Sequence, residues 1–207
     1  MTAYSEAQQV GQEAVRAAIL DATTHLLVAE GPGALTVRRI SGAVGCSTKV
    51  IYTLFGAKEG LEEALWLEGF ARFERALRTG RTSADPLTRL HECGAAYRAY
   101  ALAEPEYYRV MFQGALPGFV PDAAALAAGR RAFDILYADV ASCLEAGQLR
   151  GDAQEIADLL WMAAHGATSL ELSGHFGPVE AEQRFVTLCA SVLTPFLPGP
   201  PDERTPS

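Results

Sequence analysis

The chain has 207 residues, of which 49% are hydrophobic and 20% charged, and a formal net charge of -8. That length suits one domain of ordinary size plus a smaller module. No apolar run approaches the roughly 18 uninterrupted residues that a bilayer requires, and the N-terminus lacks the apolar stretch of a signal peptide, so a soluble, cytoplasmic protein without a membrane partner is expected.

Helical periodicity recurs from end to end, and no stretch alternates with period two, so the fold class expected is all-α, with about nine helices. The first helix is expected over about residues 9–30, with Val15, Ile19, Ala22 and Leu26 on one face. Gly31, Pro32 and Gly33 stop it. Thr36 then suits an N-cap for a helix from Val37 to about Val44, which Gly45 ends. Ser47 is a second N-cap candidate, ahead of a short helix with Val50, Ile51, Leu54 and Phe55 as its apolar face, broken at Gly56. A fourth helix is expected from Lys58 to about Thr79, carrying Leu61, Ala64, Leu65 and Phe70 as core candidates.

Beyond Gly80, Asp85-Pro86 and Glu104-Pro105 each open a helix with proline at its first position. Pro117 to Pro121 reads as a turn, followed by a long helix to about Leu149 and another from Gly151-Asp152 to about Gly174. A last helix runs from Pro178 to near Leu197, and residues 198–207 form a proline-rich polar tail expected to be disordered. The division expected is therefore residues 1–57, residues 58–197 and the tail.

Charge is unevenly placed. Residues 1–60 balance five basic against five acidic side chains, so the whole deficit lies in residues 61–207. Residues 36–58 contain Arg38, Arg39, Lys49 and Lys58 and no acidic residue. The only concentrated positive field thus falls on two short helices separated by a glycine turn, the requirement of a helix-turn-helix. Ile40 and Val44 are expected to pack against Ile51 and Leu54, leaving Ser47, Thr48, Lys49 and Thr53 free to face a major groove. A helix N-terminus also attracts phosphate, a role that Lys58 suits.

The run LTVRRISGAVGCSTKVIYTLFGAKEGL, Leu35 to Leu61, resembles the TetR/AcrR family of bacterial regulators in its spacing of Thr36, Gly45, Ser47, Tyr52, Phe55, Lys58 and Leu61. The resemblance implies an N-terminal helix-turn-helix DNA-binding domain and a C-terminal helical domain for effector binding and dimerisation. It also implies that Arg38, Thr48, Lys49 and Thr53 lie near base edges, and that Thr36, Ser47, Tyr52 and Lys58 reach the phosphate backbone. Capping alone would account for Thr36 and Ser47, partial packing for Tyr52, and a solvated charge for Arg39. Cys46 and Leu54 depart from the family pattern: Cys46 stands where an aliphatic residue is usual, and Leu54 where a histidine or other polar residue is frequent.

In the C-terminal part, Trp161, His165 and Gly166 resemble the W-x-x-x-H-G signature of one subgroup of the same family. Tyr97, Tyr100, Tyr108, Phe112, Phe133, Tyr137, Trp161 and His165 are candidates for an apolar effector pocket with hydroxyl handles, or equally for an ordinary core. The helix bearing Trp161 is apolar on nearly all sides, and the last one carries Phe185, Leu188, Cys189, Val192 and Phe196 at helical spacing. Two copies of this pair would make a four-helix dimer interface, with Ala163, Ala167, Leu170, Phe185, Leu188, Val192 and Phe196 in it. The partners expected are a double-stranded, pseudo-palindromic operator, a small-molecule effector and a second copy of the chain.

No catalytic residue, cofactor or metal is expected. The four histidines lack HExxH spacing, and no serine or cysteine sits in a nucleophile elbow. Cys46, Cys93, Cys143 and Cys189 are spaced too widely for a disulfide framework or a zinc site. Glu171 and His175 could share a metal at i, i+4, or form a solvated pair. The reading is a ligand-responsive repressor; the alternative is a helical ligand- or protein-binding module without DNA recognition.

Overall fold

The computed structural model describes residues 2–199, and the expected tail lies outside the described residues from residue 200 onward. Among the described residues there are nine α-helices and no strand: α1 Ala3–Glu30, α2 Val37–Val44, α3 Thr48–Phe55, α4 Lys58–Thr79, α5 Pro86–Ala103, α6 Pro105–Phe112, α7 Ala123–Glu145, α8 Ala153–Leu172 and α9 Pro178–Leu193. Single 3-10 turns, Pro32–Ala34 and Thr194–Phe196, follow α1 and α9.

Local chemistry explains where these boundaries differ from those expected. Helix α1 begins six residues early because Thr2 and Ser5 form a reciprocal capping box. No residue of α1 before Ile19 is buried, and Val15, expected on the apolar face, is 41% exposed. Helix α7 stops at Glu145 rather than Leu149, since Gly147 turns left-handed at φ 68° and the amides of Gln148 and Leu149 both donate to the Cys143 carbonyl. Helix α9 ends at Leu193 instead of Leu197. Pro195 lacks the N–H that would continue the ladder, so the chain tightens into a 3-10 turn.

Backbone packing divides the chain into two compact units. The first runs to Arg72 and resumes at Glu104–Gly129. Here α1 packs on α2 and α6, and α2 on α3, with Ile19, Leu20, Ile40, Ile51, Leu65 and Tyr108 at 2% exposure or less. Buried Thr23 is satisfied inside α1 by donating to the Ile19 carbonyl at 2.6 Å. An aromatic cluster of Trp66, Phe70, Phe112 and Phe119 fills the α4 side, with ring centroids 5.0 to 5.7 Å apart, and the Trp66 indole donates to the Ala125 carbonyl.

The second unit holds Phe73–Ala103 and the chain from Arg130 onward. Its core gathers Leu90, Val140, Cys143, Leu149, Ile156, Ala157, Leu160 and Leu193. Beside this core Asp139 is 1% exposed, and its Oδ1 accepts from Arg81 at 2.5 Å and Arg89 at 2.8 Å. Two guanidinium groups thus converge on one oxygen of a buried carboxylate, the arrangement that a charge taken out of water needs.

Candidate nucleic-acid interface

The interface is built from α2, α3 and the turn into α4. Thr36 caps α2, its hydroxyl oxygen accepting the Arg39 amide at 3.2 Å. Gly45 ends α2 at φ 76°, ψ 26°, the left-handed conformation in which a Cβ is strained. That turn sets α3 off at Ser47, which stands at the N-cap with extended backbone but makes no side-chain capping bond. Its hydroxyl is therefore not occupied by the helix, in contrast to that of Thr36.

Helix α3 is divided by its own period. Ile51, 2% exposed, and Phe55, 8% exposed, anchor it inward, while Thr48, Lys49, Tyr52 and Thr53 face outward and Tyr52 is 56% exposed. The Thr53 hydroxyl donates to the Lys49 carbonyl at 2.8 Å, which leaves its oxygen lone pairs outward. Val44 and Leu54 are only partly buried, so Ile40 and Ile51 carry most of the inner contact between the two helices.

The cations of the module differ in their partners. Arg39 closes onto Glu30 of α1, its Nε donating to Oε2 at 3.2 Å, and this bond holds the Glu30 carboxyl below the ordinary carboxylate range. Lys58 sits 3.3 Å from Glu62, itself 8% exposed. Arg38 and Lys49 are exposed and make no ion pair among the described residues. In the sequence Arg39 reads as a solvated charge and Lys58 as a phosphate contact; the Lys58 partner lies one turn on in the same helix, whereas the Arg39 partner, nine residues upstream in α1, is apparent only once the helices are packed.

The remaining candidates are distributed as follows. Tyr108 and Phe112 lie in the first unit, with rings 5.0 Å apart. Tyr97, Tyr100, Phe133, Tyr137, Trp161 and His165 lie in the second. There the Tyr97 hydroxyl is 3.0 Å from His165 Nδ1, Phe133 meets Trp161 edge-on at 5.8 Å, and burial lowers the His165 imidazole from its ordinary value. Tyr137 and Trp161 are 39% and 41% exposed.

The stripe expected at a dimer contact divides. Phe185 is 5% exposed and Val192 and Phe196 pack on the core of their own unit, because the face of α9 that bears them turns toward α5 and the end of α7. Ala163, Ala167, Leu170 and Leu188 instead line an open groove of about 810 Å³ between α8 and α9, together with Met162, which is 63% exposed. Glu171, weighed as a partner of His175, is engaged elsewhere. It accepts two bonds from Arg98, at 2.7 and 2.8 Å, while His175 is exposed. Among the described residues no cluster of histidine, cysteine, aspartate or glutamate could hold a metal ion, and no helix is long and apolar enough to cross a membrane.

Two short helices joined through a left-handed glycine, the second presenting hydroxyls and a cation over an apolar anchor, define a helix-turn-helix DNA-binding protein. Comparison with known proteins narrows that class. The model for bacterial regulatory proteins of the tetR family matches residues 19–65, and that for the tetracyclin repressor-like C-terminal domain matches residues 90–193, half of the chain. The protein belongs to the TetR family of bacterial transcriptional regulators. Solved structures share the fold: a protein of unknown function from Rhodococcus sp. RHA1 (TM-score 0.76, 22% identity, 89% of this chain and 96% of that one); a TetR family transcription regulator from Marinobacter aquaeolei VT8 (TM-score 0.71, 19% identity, 88% and 97%); and the TetR family regulator PfmR from Thermus thermophilus (TM-score 0.68, 22% identity, 84% and 96%). No curated protein matches the chain in sequence.

Proposed function

We propose that the protein is a ligand-responsive repressor that acts in the cytoplasm, binding a pseudo-palindromic operator as a homodimer and leaving it when a small molecule occupies the second unit. The observation that carries the reading is the outward face of α3. Thr48, Lys49, Tyr52 and Thr53 stand exposed on a helix pinned by Ile51 and Phe55, with Arg38 exposed on the neighbouring helix. In this reading Arg38, Thr48, Lys49 and Thr53 meet base edges, and Thr36, Ser47, Tyr52 and Lys58 meet phosphates.

Homodimerisation is supported by the α8–α9 groove, where Met162, Leu170 and Leu188 are exposed beside Ala163 and Ala167, small enough for a second helix pair to approach. Effector binding is supported by the Tyr97–His165 pair beside Trp161 and Phe133, a polar handle on an aromatic wall. The activity proposed is binding alone, with no catalytic step.

A gel shift with the DNA upstream of the protein's own gene, at two salt concentrations, tests this. Retarded DNA that weakens with salt, and weakens further in Lys49→Ala plus Tyr52→Phe, is expected. Binding that ignores both changes overturns the reading. Light scattering on Leu170→Glu plus Leu188→Glu tests the dimer; an unchanged mass would refute that face.

A further inference from the structure

The cations of the DNA-binding module do not present equal charge to an incoming phosphate. Arg39 is engaged by Glu30 and Lys58 by Glu62, so part of each charge is already neutralised within the chain. Among the described residues of the module, Arg16, Arg38 and Lys49 have no carboxylate partner. Arg38 and Lys49 have been given roles above. Arg16 has none, and it lies upstream of residue 19, where the family model begins.

Its placement is specific. The Arg16 guanidinium carbon stands 4.9 Å from the centroid of the Phe55 ring. Phe55 is the last residue of α3; Tyr52 lies one turn earlier and Lys58 three residues later. Arg16 therefore covers the C-terminal end of the recognition helix, the end flanked in sequence by Tyr52 and Lys58, two of the four residues read as phosphate contacts. A ring face holds a guanidinium in place without cancelling its charge or using its N–H donors. A carboxylate partner, such as those of Arg39 and Lys58, does both.

We propose that Arg16 is a DNA phosphate contact flanking the recognition helix, held in position by Phe55. This rests on the DNA-binding reading above. A residue that merely shields Phe55 from water would affect stability on removal, but not the number of counterions that DNA releases.

The test is fluorescence anisotropy with a labelled duplex of arbitrary sequence, about three helical turns long, titrated at several potassium chloride concentrations with the full chain. Arg16→Gln is expected to reduce the slope of log affinity against log salt by about 0.9 and to weaken binding about fivefold to tenfold, while Arg16→Lys keeps the wild-type slope. Should Arg16→Gln fail to fold by circular dichroism, Arg16→Met, which keeps an apolar stem over the ring, is read by the same criterion. A wild-type slope in the neutral variant overturns the Arg16 proposal. Absence of salt-dependent binding by the wild type would instead overturn the DNA-binding reading on which it rests.

Discussion

The Arg72 guanidinium donates to the Asp21 carboxylate at 2.8 Å, and so ties α4 to the helix that carries the DNA-binding module. The same guanidinium donates to Glu68 at 2.8 Å, approaches Glu104 at 3.4 Å and lies 4.5 Å above the Tyr107 ring, whose hydroxyl donates to Asp21 at 3.0 Å. One cation thus organises three carboxylates from α1, α4 and the start of α6. Burial works against the charge of Arg72, yet the bond to Glu68 and the surrounding negative charge raise its basicity overall.

Removing Arg72 leaves three acids facing one another around a buried phenol. Arg72→Met, which keeps the stem, is expected to cost about 2 kcal/mol, the scale of hydrogen bonds to a charged group. Urea unfolding followed by circular dichroism would read it. An unchanged midpoint would mean that the carboxylates find water instead.

The angle between α3 and α4 rests on a missing side chain. A Cβ at Gly60 would lie 2.1 Å from the Phe55 carbonyl oxygen, a backbone atom that cannot swing aside. Gly60→Ala is expected to displace Lys58 from α3 and weaken duplex binding by about tenfold or more, with about 1–3 kcal/mol of lost stability from overpacking. Wild-type affinity in this variant would show that α4 can shift without moving the binding face.

Two hydroxyls at equivalent positions should respond differently. Thr36 accepts a backbone bond as N-cap of α2 and Ser47 accepts none at α3. Thr36→Ala should lose about 1 kcal/mol of stability. Ser47→Ala should lose clearly less, and its effect should fall on DNA affinity. Equal thermal shifts in the two variants would contradict the distinction.

Asp139 is the carboxylate that Arg81 and Arg89 share, and it is 1% exposed. Asp139→Asn keeps the shape and removes the charge, leaving two guanidinium groups in partial burial. A loss of about 3–5 kcal/mol is expected, as when one partner of a buried pair is removed. The check is the denaturation midpoint; a change below about 1 kcal/mol would show that the pair is solvated.

Burial lowers His165 below its ordinary value of 6.5. The folded state then resists a proton that the unfolded chain accepts, so this contribution to stability is complete above pH 6.5 and is lost as the pH falls through the depressed folded value. The urea midpoint should decline as the pH falls below 6.5, and less steeply in His165→Gln. Parallel profiles for the two proteins would remove His165 as the cause.

Much of this protein is legible in its sequence because the signals are local. Thr36, Gly45 and Gly56 are chemical punctuation whose effect reaches one turn, so α2, the turn and α3 follow from residue type and spacing alone, and α4 from Lys58 to Thr79 likewise. The alternation of inward Ile51 and Phe55 with outward Lys49 and Tyr52 is the helical period itself. Charge pairing is different in kind. Glu30 and Arg39, Asp21 and Arg72, Arg81 and Asp139, and Arg98 and Glu171 are separated by 9 to 73 residues, and nothing in the chain's order announces them.

The face a helix turns outward was likewise undecided wherever both faces were apolar. The sequence stripe of Phe185, Leu188, Val192 and Phe196 ran along one face, and only packing buried Phe185 and set Val192 and Phe196 partly buried against the core while Leu188 stayed exposed. Residue type and spacing by themselves determined a helix-turn-helix, because caps, glycine turns and amphipathic period act over a few residues, and the resemblance of Leu35 to Leu61 to the TetR/AcrR family implied a regulator. The tertiary structure decided which cations remain available to DNA and which apolar residues remain available to a partner, because those depend on neighbours that the chain brings together only by folding.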